Sequence, residues 1–335
     1  MRLVTAAKSL LLKRPILVIF DVTRLCNQRC RFCNIWRGES RDMAAGEIVR
    51  QAEFLKKLGI GYVFLQGGEP TLRPDLPEIV DAFIGREIKP TVITNGILLK
   101  DGLARKLAEK RCNVAISLDT LDAASFKLIR GVDSLDLVMA NLENIAGIKP
   151  RRGNWAVTTT VTNLSTLEEI KRLEALAGRL GLMYAIRPYV HVAGAAGRRD
   201  DCLLYRDIER VVEIFAYMRD RARKNNYLAS LVYEGHIDWL RGKPMPGCDA
   251  LARSLVMSPQ GLFSPCLEFT SESVPWEEIR GRRAAWLERC RICNREHPCF
   301  YNCAREIGIL WRNKWRIALT LPLILGQLAR HRNFF

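Results

Sequence analysis

The 335-residue sequence lacks several features of membrane and exported proteins. No run approaches the roughly 20 consecutive apolar residues of a membrane-spanning helix. The segment MRLVTAAKSLLLKRP has a short apolar run but no small-residue cleavage site, so we expect no secretory signal. Low-complexity tracts are also missing, and 48% of the residues are hydrophobic. The sequence therefore predicts a folded chain with a sizeable core.

Acidic residues are few relative to basic ones. There are 36 Asp and Glu against 52 Lys and Arg, which gives a formal net charge of +16. Such an excess is typical of a solvated basic surface. It also fits an anionic partner: a nucleic acid, an acidic lipid surface or a phosphorylated substrate. Any cysteine thiolates bound to a metal would cancel part of this charge locally.

Cysteine, by contrast, is abundant. The count is eleven, an odd number, and most of the cysteines lie within two to five residues of a neighbour. Such spacings suit metal binding better than a secreted disulfide framework. We therefore expect a reducing cytoplasmic location.

The first 190 residues alternate strand-like and helix-like patterns. Six segments are predicted strands, and each of the first five is followed by a helical pattern: ILVIFDVT, GYVFLQGGEP, KPTVITNG, CNVAISLDT, WAVTTTVTN and MYAIRPYV. Repeated β–α units predict a parallel sheet with right-handed crossovers. Because eight units close a complete barrel, six predict the α/β class with a partial (β/α)6 TIM-like barrel, open on one side.

The composition changes after this region, and we expect five segments in all. They are an N-terminal helical segment (1–14), the barrel (15–195), a helical connector (196–246), a small cysteine-rich C-terminal domain (247–305) and a basic, apolar tail (306–335).

Three cysteines follow the first predicted strand directly. Cys26, Cys30 and Cys33 lie in DVTRLCNQRCRFCNIW, and loops at the carboxyl ends of barrel strands form one shared face. Thiolates bind soft metals. A structural zinc takes four ligands and a 4Fe–4S cluster usually takes four cysteines. Three cysteines therefore predict either an iron left open for a reactant or a zinc site with a distant fourth ligand.

Other strand ends carry polar and glycine-rich motifs. GGEP (67–70) ends the second strand, TNG (94–96) the third and SLD (117–119) the fourth. All three lie on the face where the cysteine loop is expected. Their combination favours an active site over an isolated zinc site.

The spacing C-x3-C-x-aromatic-C, with Phe32 as the aromatic residue, resembles the signature of the radical S-adenosylmethionine (SAM) superfamily. The resemblance covers roughly residues 15–190 through the motifs at the strand ends. It implies a 4Fe–4S cluster held by Cys26, Cys30 and Cys33. SAM would complete the cluster through its amine and carboxylate. Reductive cleavage of SAM would then give a 5′-deoxyadenosyl radical that removes a hydrogen atom from a substrate.

The resemblance also implies SAM contacts. Phe32 would pack near the adenine, Ser117 and Asp119 would contact the ribose, and the methionyl ammonium would meet three residues of the second strand end: Gly67, Gly68 and Glu69.

Three further residues are weaker candidates for SAM binding. Arg130, in FKLIRG, matches an arginine that family members use on the SAM carboxylate; the alternative is a surface arginine at a helix end. Asn95 and Arg187 are the other two, with ordinary loop or salt-bridge roles as their alternatives.

A second cysteine pattern lies near the C-terminus and resembles the SPASM extension of radical SAM enzymes. It reads Cys248-x12-Gly261-x4-Cys266, then Cys290-x2-Cys293-x5-Cys299-x3-Cys303. The family pattern ends with a further cysteine that is missing here. Three arrangements stay open: two auxiliary clusters, one four-cysteine cluster as in the shorter twitch version, or a zinc.

We expect at least one auxiliary 4Fe–4S cluster in this region. With two clusters, one set of ligands would be Cys248, Cys266 and Cys303, and the other would be Cys290, Cys293 and Cys299. Glu296 and His297 are close enough to substitute as ligands, although both also suit an exposed loop. Cys112 and Cys202 fit neither pattern and are predicted to pack as small apolar residues.

The tail suggests where the protein works. WRIALTLPLIL, between RNKWR and ARHR, has the composition of an interfacial helix on an anionic membrane, kinked or split at Pro322. A helix docked on the barrel is the alternative. We therefore expect a cytoplasmic protein that is peripheral on the inner membrane surface if the tail binds lipid.

The predicted partners are a substrate of unidentified class (small molecule, lipid-linked or peptide) and an electron donor such as flavodoxin or ferredoxin. The short segment before Cys26 argues against a leader-peptide substrate, although a separate protein can supply leader binding. Two other functions stay open: a radical SAM enzyme that modifies RNA, and a zinc-rich module that binds nucleic acid or protein. Basic residues without interleaved aromatics, and no recognisable RNA-binding module, disfavour nucleic acid.

Colour separates the enzyme from the zinc module. We expect anaerobically purified protein to be brown and to bleach with dithionite, because iron–sulfur clusters absorb broadly in the blue and lose this absorption on reduction. The measurement is a visible spectrum before and after reduction, together with metal analysis. Colourless protein that contains only zinc would contradict the iron–sulfur prediction.

Overall fold

The computed structural model describes residues 15–148, 151–190, 198–245, 247–296, 299–300 and 302–330, and gives the backbone alone at positions 294, 296, 302–304, 325 and 328–330. The predicted N-terminal helical segment (1–14) and His297 lie outside the described residues. The side chains of Glu296 and Cys303 also lie outside them.

Six strands follow one another in the predicted order: β1 Leu17–Thr23, β2 Tyr62–Gly67, β3 Lys89–Thr94, β4 Asn113–Ser117, β5 Trp155–Val161 and β6 Met183–Pro188. Each strand pairs in parallel with the next. The predicted α/β class with a partial TIM-like barrel is therefore confirmed.

Two short strands from the C-terminal part extend the sheet, and the sequence did not predict them. β7 (Ser254–Met257) pairs in parallel with β1, and β8 (Phe263–Ser264) pairs antiparallel with β7. The sheet order is β6-β5-β4-β3-β2-β1-β7-β8. The cysteine-rich region is thus joined to the barrel through the first strand.

The helices follow the strands as right-handed crossovers require. Those within the barrel are α1 Ala45–Lys57, α2 Leu76–Ile84, α3 Asp101–Glu109, α4 Ala123–Arg130, α5 Leu135–Ala146 and α6 Leu167–Arg179. Those that follow are α7 Ile208–Asn225, α8 Tyr227–Leu240, α9 Trp276–Glu296, α10 Asn302–Arg312, α11 Lys314–Leu319 and α12 Leu321–Arg330. α9 was missed, because its arginines and glutamates interrupt the apolar stripe that identifies a helix.

The main core lies between the sheet and the barrel helices. Val18, Phe20 and Val22 of β1 are fully buried in it, together with alternate residues of β2, β3 and β4. The intervening residues of β2 to β5 are only half-buried. Because successive side chains of a strand point to opposite faces, these half-buried residues face the concave side of the barrel.

A second core joins the barrel to α7 and α8. Ile186 of β6 packs there with Val211, Phe215 and Tyr233. This helix pair covers the β6 side of the sheet, where the six-stranded barrel is incomplete.

The tail divides into short helices, as predicted from Pro322. The helix breaks at Thr320, directly before α12. Gln327 is buried and its amide binds the backbone of Tyr227, Arg223 and Lys224 at 2.9–3.3 Å. α12 is therefore docked on α7 and α8. Within the described part of the chain, no helix is long and apolar enough to cross a membrane.

Candidate functional site

The three-cysteine loop is held by backbone hydrogen bonds on both sides. From the end of β2, Gly68 N donates to Thr23 O at 2.8 Å and Glu69 N donates to Leu25 O at 2.8 Å. On the other side, the loop amides of residues 29 and 31 donate to the carbonyls of residues 130 and 129, both at 3.0 Å. The loop is thus fixed between the end of β2 and the end of α4.

The first predicted thiols lie together in this loop. Cys30 is buried, whereas Cys26 and Cys33 are half-buried. The pKa of Cys26 is raised to about 11 and that of Cys33 to about 12, mainly by burial and to a smaller extent by neighbouring thiols. Burial also raises the pKa of Cys30. Thiols in such a setting become thiolates when a soft cation binds them, so the donor set fits iron.

Within the described residues, no group of three or more His, Cys, Asp or Glu side chains is arranged to hold a metal ion. A cluster is bound through thiolates on separate iron atoms, so its ligands need not converge on one point as those of a single ion do.

Two glycines allow β2 to approach the cysteine loop. Gly67 has φ +128°, and a Cβ added to it would lie 2.1 Å from Thr23 O. A Cβ on Gly68 would lie 2.0 Å from Leu25 O. Only glycine permits this contact between the strand end and the loop.

Glu69 is fully buried and satisfied by the protein itself. Its Oε1 accepts hydrogen bonds from Thr71 N (3.0 Å), Thr71 Oγ1 (2.6 Å) and Thr94 Oγ1 (2.7 Å), and its Oε2 accepts one from Asn95 N (2.7 Å). Burial raises the pKa of this carboxyl group. The carboxylate therefore ties the ends of β2 and β3 together, and Oε2 keeps room for one further donor.

Asn95 links the TNG motif to the cysteine loop. Its Nδ2 donates to Asn27 Oδ1 at 2.7 Å, and its Oδ1 accepts from Ile97 N at 3.1 Å. Both the nitrogen and the oxygen of the Asn95 side chain are therefore used in contacts within the protein. This is the ordinary loop role that was named as the alternative to SAM binding.

Arg130 is buried, so the alternative of a surface arginine is wrong. Its Nη2 lies 2.7 Å from Asp119 Oδ2, and its Nη1 lies 3.9 Å from Cys30 Sγ. Asp119 also accepts from Thr160 N at 2.8 Å. The buried ion pair places a cation against the thiol group. The sequence did not predict this pairing, because helix α4 begins between the two residues.

Phe32 and Ser117 are two further predicted SAM contacts. The guanidinium of Arg130 lies 5.5 Å from the ring centroid of Phe32, and the Phe32 and Tyr189 ring centroids are 6.3 Å apart. Ser117 is half-buried at the carboxyl end of β4. The motifs at the strand ends are thus brought together around one cysteine loop.

Arg187 forms the salt bridge named as its alternative role. Its Nε lies 3.1 Å from Glu306 Oε1 on α10, and both side chains are partly exposed. Burial raises the pKa of Glu306, and Arg187 opposes this. The pair joins the end of β6 to the C-terminal helices.

One charged group near the site was missed. Asp21 is buried within β1, accepts a hydrogen bond from Gln66 Nε2 at 3.2 Å, and burial raises its pKa to about 6. The signal was a carboxylate inside the apolar run ILVIFDVT.

Cys112 is buried, as predicted, but the prediction for Cys202 is wrong. Cys202 is exposed, and Arg31 Nη2 donates to its sulfur at 3.7 Å. The turn that carries Cys202 is held by Asp200, which binds Arg31 Nε at 2.7 Å and leaves the thiol on the surface.

The C-terminal thiols form one group. In Cys248, Cys266 and Cys290, burial raises the pKa, with neighbouring thiols of the group adding to it. The pKa of Cys293 is raised by a hydrogen bond with Cys299 and, to a smaller extent, by burial. These interactions run between members of both predicted ligand sets, and the division into two sets stays a prediction. The number of clusters stays a prediction, because the side chain of Cys303 lies outside the described residues.

The two cysteine groups lie at opposite ends of β1. The carbonyl of Arg253, at the start of β7, accepts hydrogen bonds from the amides of Ile16 and Leu17. Cys248 precedes β7, and Cys266 follows the antiparallel β8, so both lie at the amino-terminal end of β1. The first cysteine loop follows its carboxyl end. Seven strand residues span roughly 20 Å.

Comparison with known proteins identifies the family. Residues 20–177 match the model of the radical SAM superfamily. The "Probable GTP 3',8-cyclase" of Saccharolobus islandicus is 33% identical over 217 residues, which cover 61% of this chain and 67% of the relative. The chain belongs to the radical SAM superfamily. Membership implies a 4Fe–4S cluster and SAM, and the zinc-module alternative is wrong.

Another relative of this radical SAM chain carries a different name. "Mycofactocin maturase MftC" of Mycolicibacterium smegmatis is 29% identical over 180 residues, 53% of this chain and 46% of the relative. The chain spans between about half and two thirds of the length of the curated relatives it matches.

Solved structures share the fold of this radical SAM chain. SuiB of Streptococcus suis bound to S-adenosylmethionine gives a TM-score of 0.63 at 20% identity, covering 77% of this chain and 61% of SuiB. Native anSMEcpe with bound AdoMet gives 0.61 at 15% identity, covering 92% of this chain and 98% of that one. The likeness to anSMEcpe extends over most of the chain, including much of the part beyond the matched family model.

The close approach at Gly68 can be tested directly. We expect Gly68→Ala to lower 5′-deoxyadenosine formation by roughly 100-fold, as for a reacting group displaced by about 1 Å, because the new Cβ would push the cysteine loop away from β2. The measurement is anaerobic SAM cleavage with dithionite, normalised to bound iron. Gly178→Ala in α6 is the matched control, since its added Cβ meets nothing within 4 Å. Equal rates for the two variants would contradict a requirement for this contact.

Proposed function

We propose that the protein is a radical SAM enzyme that acts on an unidentified substrate inside the barrel, with at least one auxiliary 4Fe–4S cluster on its C-terminal cysteines. The observation that carries the proposal is the three-thiol loop, held by backbone hydrogen bonds between the Gly67–Gly68 strand end and the buried end of α4. This arrangement presents three thiols and leaves the fourth ligand position to a molecule from outside the chain.

The residues have distinct tasks in this proposal. Cys26, Cys30 and Cys33 hold the cluster. When bound and reduced, the cluster supplies the electron that cleaves SAM to methionine and a 5′-deoxyadenosyl radical, which removes a substrate hydrogen atom. Gly67 and Gly68 let backbone groups reach the methionyl ammonium, and Glu69 Oε2 offers it an acceptor.

The buried ion pair sets the charge next to the thiols. Arg130 balances negative charge at Cys30, and Asp119 keeps the guanidinium in place. We assign Phe32 to the adenine and Ser117 with Asp119 to the ribose. Asn95 positions the cysteine loop through Asn27, and Arg187 positions the C-terminal helices through Glu306.

The concave side of the barrel is the proposed substrate space. Its half-buried strand residues include Phe64, Ile93, Thr158 and Thr160, a mixture of aliphatic, aromatic and hydroxyl groups. Such a surface suits a substrate held by shape and a few hydrogen bonds.

An auxiliary cluster would lie at the other end of this space. A substrate in the barrel would then face the radical at one end and the second cysteine group at the other. An auxiliary cluster held by these cysteines would bind substrate or accept the electron left after hydrogen abstraction. An electron donor, which we propose to be flavodoxin or ferredoxin, supplies the first cluster.

The proposed substrate belongs to one of three classes: a small molecule, a lipid-linked molecule or a peptide. One relative is named as a cyclase of GTP and another as a maturase of mycofactocin, at 33% and 29% identity. Because these two relatives carry such different names, they favour none of the three substrate classes over the others.

The core assignment predicts a selective loss. We expect Cys30→Ala to abolish SAM-derived 5′-deoxyadenosine while the auxiliary iron stays bound, because the two thiol groups lie at opposite ends of β1. The measurements are anaerobic product analysis and iron content. Cys112→Ala is the control, a buried cysteine outside both patterns. Continued SAM cleavage by Cys30→Ala would count against the function.

We also propose that the tail binds an anionic membrane surface. Trp315 and Leu319 lie one turn apart on α11 and are 73% and 84% exposed. The exposed Leu321 and Leu323 follow in α12, and Lys314 lies 5.6 Å from the Trp315 ring. Apolar side chains beside cations match the boundary between lipid tails and anionic headgroups. The enzyme would then be a peripheral protein on the cytoplasmic face.

Vesicle binding tests this surface. We expect the double variant Trp315→Ser, Leu319→Ser to weaken binding to phosphatidylglycerol-containing vesicles by roughly tenfold or more, because two large apolar side chains leave the lipid. The measurement is co-sedimentation at fixed ionic strength. Leu137→Ser is the control, since Leu137 on α5 is 43% exposed but lies away from the tail. Wild-type protein that does not co-sediment would remove the proposal.

A further inference from the structure

A large cavity lies beside the C-terminal thiols. It is open to solvent, has a volume of about 970 Å³ and is bounded by α9, α10 and the segment before β7. Four of its lining arginines are exposed: Arg283, Arg291, Arg295 and Arg312. Cys248 and Cys290 form part of its wall. Cavities of roughly 300–1,000 Å³ are typical of small-molecule sites. Its volume therefore leaves room for a ligand beside a cluster bound to these cysteines.

The charged residues that line the cavity are mostly cations. Five arginines line it: Arg253, Arg283, Arg291, Arg295 and Arg312. Among the described side chains, the acidic residues that line it are Asp249 and Glu288.

The two acids are already used by two of the arginines. Arg253 Nε lies 3.4 Å from Asp249 Oδ2, and Arg291 Nη1 lies 3.1 Å from Glu288 Oε2. Within the part of the chain that the structure describes, no ion pair is formed by the remaining lining arginines, which are Arg283, Arg295 and Arg312. The cavity thus keeps an excess of positive charge.

Four of the lining residues share one face of α9. Arg283, Leu287, Arg291 and Arg295 follow one another at intervals of four residues, so they lie along one face. Arg283 and Arg295 are separated by roughly 18 Å along the helix axis. Arg291 and Arg295 are four residues apart, and like charges at that spacing repel each other. An anion in the cavity would relieve this repulsion.

The chemistry of arginine identifies the anion. The planar guanidinium matches two oxygens of a phosphate at once, with charge-assisted hydrogen bonds. Several guanidinium groups from two different helices, α9 and α10, suit a group with oxygens on several sides. Phosphate and pyrophosphate have this form, whereas a single carboxylate would satisfy one arginine.

The competing explanation is that the arginines only balance the charge of an auxiliary cluster. Arg291 directly follows Cys290 and fits that role. Arg283 lies two helical turns before Cys290, roughly 10 Å along the axis, and Arg312 lies on a different helix. These two positions favour a ligand that extends away from the thiols.

We propose that this arginine-lined cavity is a binding site for a phosphate-bearing ligand, held between α9 and α10 beside the auxiliary thiols. The inference goes beyond the proposed function, and binding at this site does not require SAM cleavage.

The test uses anaerobic, cluster-loaded protein without SAM and without reductant, titrated calorimetrically with inorganic pyrophosphate. We expect the wild-type protein to bind, and Arg283→Gln and Arg312→Gln each to weaken the affinity about tenfold or more, as expected for a lost charged hydrogen bond. Arg282→Gln is the matched control: it is the neighbouring arginine, it pairs with Glu278 at 3.2 Å, and it does not line the cavity.

Failure of wild-type protein to bind pyrophosphate, or equal affinities for Arg283→Gln, Arg312→Gln and Arg282→Gln, would overturn the proposal. Cys30→Ala protein is titrated in parallel. Retained pyrophosphate binding there supports the site even if SAM cleavage is never observed, so the two proposals can fail separately.

A second experiment, with phosphatidylglycerol vesicles, tests whether the phosphate group belongs to a lipid headgroup or to a soluble ligand. If a lipid headgroup occupies the cavity, Arg283→Gln weakens vesicle binding and pyrophosphate competes with the vesicles. If the ligand is soluble, pyrophosphate binds but neither the variant nor the competitor changes vesicle binding. Both results support a phosphate site, and they assign it to different substrates.

Discussion

The hydrogen bonds between the cysteine loop and the end of β2 are the constraint on which the site depends. They require two glycines, since a side chain at either position would collide with the loop backbone. The next residue after these glycines is Glu69. Burial of its carboxylate would be unfavourable without the four hydrogen-bond donors that it has. The ends of β1, β2 and β3 are thereby fixed relative to one another. Rigid strand ends of this kind hold reacting groups more accurately than free loops do.

Sequence reasoning predicted the barrel and the place of the site because both leave local signals. Apolar runs bounded by glycine and polar residues identified six strands. The rule that carboxyl ends of parallel strands share a face then placed four motifs together. What the structure adds is how side chains are used. Glu69 and Asn95 bind other parts of the protein, and Arg130 is a buried partner of Asp119. Because such pairings join separate elements, no local sequence pattern predicts them.

The C-terminal part was harder to predict for a physical reason. β7 and β8 have four and two residues, too few for a periodic pattern, and β7 is stabilised by β1 from far away in the sequence. α9 carries arginines around much of its circumference, which hides its apolar side. Cysteine spacing did point to this region, but spacing cannot tell that the described thiols gather in one group. Cysteine spacing also cannot show that arginines from two helices line a cavity.

The pairing of β1 with β7 also bears on how the protein is made. During synthesis on the ribosome, β1 emerges early, and its partner β2 soon covers one edge. The other edge stays open until Ser254–Met257 has been translated. An uncovered apolar strand is a template for unwanted association. The nascent chain thus passes through a long interval of exposure, which ends only when the cysteine-rich region reaches the sheet.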